Sequence, residues 1–114
     1  MDETQMILLY DYYGDLLTQR QKECFELRYH QDLSFGEIGQ ELGISRQGVF
    51  DNLNRAEALL RNMEEKTGCV RRDLRCRKAA ERIAELVQAL SEIPNEQVSD
   101  LTRKILSEVK SLEE

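Results

Sequence analysis

From Leu33 to Ala56 the chain reads L-S-F-G-E-I-G-Q-E-L-G-I-S-R-Q-G-V-F-D-N-L-N-R-A. Two helix starts lie close together in this stretch. Ser34 stands three residues before Glu37. In that pairing the hydroxyl takes an orphan amide of the first helical turn and the glutamate reaches back to the cap. Ser45 offers a second cap. Between them Gly43 tolerates the left-handed conformation that ends a helix. The spacing predicts a short helix through Leu42, a three-residue turn, and a long helix from Arg46 to about Lys66. Phe35, Ile38 and Leu42 would face inward from the first helix. Ile44, Val49 and Leu53 would let the second cross it. This is the helix-turn-helix plan. Arg46, Gln47, Phe50, Asp51 and Asn54 would form the outer face of the second helix at its N-terminal end.

The rest of the chain also reads as helix, so an all-α fold is expected. Met6, Leu9 and Tyr13 recur at helical spacing before Gly14. Thr18 with Gln21 makes another capping pair, for a helix over about 19–30 that buries Cys24, Leu27 and either Phe25 or Tyr29. The long helix carries Val49, Leu53, Ala56, Leu60 and Met63, a seam of two heptads that is too short for a coiled coil. Thr67-Gly68 breaks it. A further pattern runs from Leu74 to Leu90, Ile93-Pro94-Asn95 marks a turn, and Val98, Leu101, Ile105, Val109 and Leu112 mark a last helix. The division expected is a helix-turn-helix domain over 1–66 and a helical hairpin over 69–114. The stripes on the N-terminal helix and the last helix exceed what so small a domain can bury, which predicts a homodimer.

Composition closes off other classes. One Pro in 114 residues argues against a turn-rich β fold. No apolar run approaches the ~18 residues of a membrane span. The acidic start, Met1-Asp2-Glu3, lacks the basic region of a secretory signal, so a cytoplasmic protein with no membrane contact is expected. Three Cys without a CxxC pair offer neither a disulfide framework nor a metal set, and Cys24 and Cys76 read as small buried hydrophobes. No GxxxxGK[ST], GxSxG or HExxH motif is present, and His30 is the one His, placed at a helix end. No enzymatic activity and no cofactor are expected.

Charge is unevenly spread. The net charge of −6 disfavours the simplest nucleic-acid binder. Residues 71–82, however, carry a net +4 from Arg71, Arg72, Arg75, Arg77, Lys78 and Arg82 against Asp73 and Glu81. Arg71, Arg75, Lys78 and Arg82 would share one helix face. That face is either solvated and paired with the acidic last helix, or a clamp for a nucleic-acid backbone. On the helix of residues 46–66, Arg46 and Gln47 have the chemistry to read guanine and adenine edges, and Arg55 or Arg61 could touch phosphate. That helix carries four positive and four negative residues, which leaves it no net attraction for phosphate. Its outer face therefore suits a protein or ribonucleoprotein contact as well as DNA. Phe50 is either an anchor for such a partner or packed against the neighbouring subunit or the C-terminal helices.

The chain resembles the region-4 helix-turn-helix of bacterial sigma factors over about residues 17–62. It is more similar still to the YlxM-like family of Gram-positive bacteria over about residues 5–70. The matching residues are Leu9, Tyr10, Asp11, Tyr13, Gly14, Leu16, Leu17 and Thr18 with Gln21, then Asp32-Leu33-Ser34 with Glu37-Ile38. The run Ser45-Arg46-Gln47-Gly48-Val49-Phe50-Asp51-Asn52 with Arg55 is the most specific piece. Gly48 departs from the family, which more often has Ala there. The resemblance implies an all-helical, dimeric protein that modulates the signal recognition particle through its protein or its RNA. The competing expectation is a sequence-specific DNA-binding regulator that reads the major groove with Arg46, Gln47, Asp51 and Asn54.

Overall fold

The computed structural model describes residues 2–112. Met1, Glu113 and Glu114, at the ends of the two expected segments, lie outside the described residues. Among the described residues six α-helices follow one another: α1 (Glu3–Tyr13), α2 (Gln19–Tyr29), α3 (Phe35–Leu42), α4 (Arg46–Thr67), α5 (Cys69–Ser91) and α6 (Glu96–Ser111). A short 3-10 turn over Gly14–Leu16 joins the first two. The described residues form no strand, so the fold is all-α. Two compact units are present, Met1–Val70 and Arg71–Glu114.

Local chemistry sets the helix starts of the first unit. Thr18 and Ser34 each accept from the backbone of the third helical residue, and Gln21 and Glu37 return the bond to the cap. Asp2 and Gln5 make a third such box, in which a carboxylate takes the place of the hydroxyl. Ser45 Oγ accepts from Gly48 N at 2.9 Å and starts α4. Gly43 takes φ 70°, which an L side chain adopts only at a cost.

The core of this unit has two parts. Met6, Leu9, Tyr13, Leu17 and Phe25 pack with Ala56, Leu60 and Val70. Cys24, Leu27 and Ile38 pack with Val49 and Leu53. Helix α4 is therefore the spine, with α1, α2 and α3 laid along its inner face. The α1 stripe is thus covered within the chain. This corrects the expectation that Met6, Leu9 and Tyr13 were apolar surface in need of a second subunit. Gly39 is buried in α3, where a Cβ would stand 2.7 Å from the Ile44 carbonyl oxygen. The short helix can approach the turn that follows it because no side chain intervenes.

The seam of α4 also ends differently from the expected pattern. Met63 is half-buried, while Glu64 is the buried residue at 7% exposure. Its Oε1 accepts from Tyr13 Oη at 2.7 Å and from Val70 N at 3.0 Å. A glutamate from the end of one helix thus caps the start of the next, across the left-handed Gly68. The first unit reaches Val70 because that residue is held here.

In the second unit Ala80 and Val87 are the buried positions of α5, and Val109 with the polar Thr102 those of α6. Each pair is seven residues apart, the spacing of one face over two turns. Asn95 Oδ1 accepts from Gln97 N and Val98 N, so the turn ends in a capped helix. Ile83, Leu86 and Leu90 of α5 and Leu101 and Ile105 of α6 stay exposed, Leu101 at 58%. Cys76 is exposed, contrary to its reading as a buried hydrophobe, whereas Cys24 is fully buried. Cys76 lies on the stretch 71–79, every residue of which is solvent-exposed.

Candidate nucleic-acid interface

The outer face of α4 is set by its inner face. With Val49, Leu53, Ala56 and Leu60 buried, a helix of 3.6 residues per turn must present Gln47, Phe50, Asp51 and Asn54 to solvent. All four are exposed, as are Arg46 and Arg55. Arg55 follows Asn54 around the helix toward its other edge.

Arg46 does not extend straight out from the first turn. Its guanidinium lies over Gly36 of α3, where a Cβ would come within 3.0 Å of Arg46 Nε. Gly36 and Gly39 thus keep an open notch of about 740 Å³ between α3 and α4, with Arg46 at its edge and Ser34, Gln40 and Gly43 among its lining. Gln47 Nε2 donates to Asp51 Oδ1 at 3.0 Å, one turn along. Phe50 is 43% exposed. Its ring leans on Phe35 with centroids 6.1 Å apart, and the Arg28 guanidinium sits 4.9 Å from the Phe35 centroid. Phe35 was expected simply to face inward. It is half-buried and links a cation to the exposed ring. Its three-residue spacing from Ile38 was a true core signal, but the position sits at the rim of the core, where one ring face is left over.

Residue counting gives α4 no net charge, but the geometry distributes its charges unequally. Asp51 accepts from Gln47, Glu57 accepts from the Tyr29 hydroxyl, and Glu64 is buried against Tyr13 and Val70. Three of the four acids of this helix are thereby committed to internal donors. Arg46, Arg55, Arg61 and Lys66 make no ion pair among the described residues. The positive end of the helix dipole adds to the field at Ser45–Gly48. The cations of this face are therefore more available to an anionic partner than the balanced total suggests.

Tyr29 belongs to a stack in which Phe25 lies between Tyr10 and Tyr29, with centroids 4.4 and 4.3 Å apart. Burial, with the Glu57 carboxylate beside it, pushes the Tyr29 phenol up to about 12. Burial, with Glu26 beside it, raises Tyr10 in the same way. Burial also pushes the Cys24 thiol up. His30 is the C-cap residue of α2, with its ring edge toward Tyr10 and Phe25. The described residues contain no cluster of His, Cys, Asp and Glu able to hold a metal ion. No described helix is long and apolar enough to cross a membrane.

The second group of candidates lies on the other unit. Arg71, Arg75, Lys78 and Arg82 of α5 are all exposed, together with Arg72 and Arg77. Arg82 pairs with Glu85 on its own helix at 3.2 Å. Arg103 of α6 pairs with Asp100, also on its own helix. Arg75, Arg77 and Lys78 make no ion pair among the described residues.

The family model described as "Putative helix-turn-helix protein, YlxM / p13 like" matches residues 1–105. A UPF0122 protein of Thermoanaerobacter sp. (strain X514) is 41% identical over 108 residues, 94% of this chain and 92% of the relative. One from Caldanaerobacter subterraneus subsp. tengcongensis is 51% identical over 82 residues, 72% of this chain and 70% of the relative. One from Bacillus cereus (strain AH187) is 36% identical over 110 residues, 96% of each chain.

Proposed function

Since this chain belongs to the YlxM/p13-like family of helix-turn-helix proteins, we propose that it is a non-enzymatic regulator of the signal recognition particle, acting in the cytoplasm on the particle's protein or RNA. The observation that carries this reading is the distribution of charge. Exposed arginines without ion pairs line the outer face of α4, and the stretch 71–82 of α5 exposes six cations on a chain of net charge −6. A basic face kept on an acidic protein fits a structured polyanion better than general attraction to nucleic acid. Arg71, Arg75, Lys78 and Arg82 are assigned to phosphate contact, and Arg46, Gln47, Phe50, Asp51, Asn54 and Arg55 to recognition.

The working form is a homodimer built through the hairpin. Ile83, Leu86, Leu90, Leu101 and Ile105 recur at three- and four-residue spacings on two helices. Monomers rarely leave a contiguous apolar patch above a few hundred Å² in water. A second hairpin would complete a four-helix arrangement. Light scattering at tens of micromolar is expected to give twice the chain mass. Leu86→Lys with Ile105→Lys should return the monomer, and a monomer for the unmodified chain refutes the dimer.

The function is tested by tagged pull-down from native lysate at physiological salt, with bound RNA and DNA sequenced and bound protein identified. Enrichment of signal recognition particle RNA or its GTPase, lost in Arg75→Glu/Lys78→Glu, supports the reading. A defined set of chromosomal fragments without those components overturns it in favour of a DNA-binding regulator. The α3–turn–α4 geometry would serve that role too, and Arg46→Ala/Gln47→Ala should then abolish discrimination between a selected and a random duplex.

A further inference from the structure

We infer that Phe50 is the seat on which an unpaired nucleobase stacks, flanked by Gln47 and Asn54 as its polar readers. The inference deepens the proposal above and rests on the α4 face being a contact surface. Among the described residues of the first unit, the large apolar side chains left exposed are Leu16 and Phe50. Phe50 is held in place from behind. Phe35 backs its ring, and the Arg28 guanidinium stacks on Phe35 in turn. A ring fixed from one side offers its remaining surface without losing much rotamer freedom on binding.

What surrounds the ring selects the occupant. A protein groove needs a contiguous apolar patch with a polar rim. Here the ring is bordered by Gln47, Asp51 and Asn54, all exposed and polar. A duplex buries its base faces against one another and offers edges, so a phenyl ring in its groove gains at most a methyl contact. An unpaired base offers a whole π face, and an aromatic side chain is the group that takes it. The carboxamides of Gln47 and Asn54 supply a donor and an acceptor each for the base edge. Arg46 and Arg61 stand on either side of Phe50 along the helix, ~22 Å apart at 1.5 Å per residue, where the phosphates of a short single strand would run.

The test uses the full-length protein and twelve-nucleotide strands carrying one 2-aminopurine, a base whose fluorescence is quenched by stacking. The probes are the RNA strand, the DNA strand of the same sequence, and the blunt duplex. The unmodified protein is expected to quench and bind the single strands and to bind the duplex more weakly. Phe50→Leu and Phe50→Met keep the apolar bulk and remove the π face. Each should weaken single-strand binding about 5- to 150-fold with an unchanged thermal unfolding midpoint, while Phe50→Tyr stays near the unmodified affinity. Preference for the RNA strand supports the seat and identifies RNA as its source, whereas equal binding of the two strands or preference for the DNA strand supports the seat without restricting it to RNA. Equal binding of single strand and duplex, absence of binding, or unchanged affinity in both Leu and Met variants overturns it. If the GTPase is captured and Phe50→Leu abolishes that capture while no strand binds, the ring is a protein anchor and the inference is wrong. Strands that bind without capture of any particle component refute the proposed function and leave the seat standing.

Discussion

Replacing Glu64 by Ala should be among the most damaging single changes in the first unit. The side chain is 7% exposed, and its Oε1 accepts from Tyr13 Oη and Val70 N. Val70 is itself buried, and its amide is one of the first-turn donors of α5 that no helical carbonyl can take. Leaving such a donor unmade costs about 1–3 kcal/mol, and the cavity left by the side chain adds roughly 1 kcal/mol. The Tyr13 hydroxyl loses less, because Thr67 Oγ1 stands 2.6 Å away. The total is about 3 kcal/mol. For a unit of this size each kcal/mol moves the midpoint by about 4–8 °C, so Glu64→Ala should melt roughly 12–24 °C lower. Glu64→Gln should lose only about 1 kcal/mol, since its carbonyl can take Val70 N–H and its amide can donate to Tyr13 Oη. Thermal and urea unfolding followed by circular dichroism measure both. In a double-mutant cycle with Tyr13→Phe, Glu64 and Tyr13 should couple by about 1 kcal/mol. A Glu64→Ala midpoint within about 2 °C of the unmodified chain, or strict additivity in the cycle, would refute the reasoning.

Three further outcomes are expected. Gly39→Ala places a Cβ 2.7 Å from the Ile44 carbonyl oxygen. Overpacking of about 1–3 kcal/mol outweighs the gain of up to about 1 kcal/mol in helix propensity, so the variant should melt lower, and an equal or higher midpoint contradicts the close-approach argument. Gly48→Ala has the opposite sign. The nearest atom to the new Cβ is Ser45 Oγ at 3.3 Å, a small give at an exposed cap, and the variant should gain up to about 1 kcal/mol in urea unfolding. The raised Tyr29 phenol makes stability alkali-sensitive. Its contribution is complete below the ordinary phenol value of 10.0 and is lost as pH rises through about 12, because the unfolded chain releases the proton first. Tyrosinate absorbance should show this late titration, and Tyr29→Phe should remove it together with part of the alkaline loss of stability.

The sequence by itself determined what is decided within a few residues. Thr18 with Gln21, Ser34 with Glu37, and Ser45 set helix starts because each cap hydroxyl bonds the amide three residues ahead of it. Gly43 and Gly68 set helix ends for the same local reason, and the period of Val49, Leu53, Ala56 and Leu60 chose the buried face of α4. With that face known, Gln47, Phe50, Asp51 and Asn54 had to point outward. The remaining features depend on groups far apart along the chain. Tertiary packing placed Tyr13 beside Glu64, which turned an exposed-looking acid into a buried cap and moved the seam off Met63. It laid α1 along α4, so the stripe of Met6, Leu9 and Tyr13 needed no partner. It brought Tyr29 to Glu57 and Tyr13 to Glu64, so a helix of balanced formal charge keeps three of its four acids engaged and its arginines available. A charge count sums over residues regardless of direction. Only the fold decides which side chains face one another, and the strength of a hydrogen bond or an ion pair depends on that distance and angle.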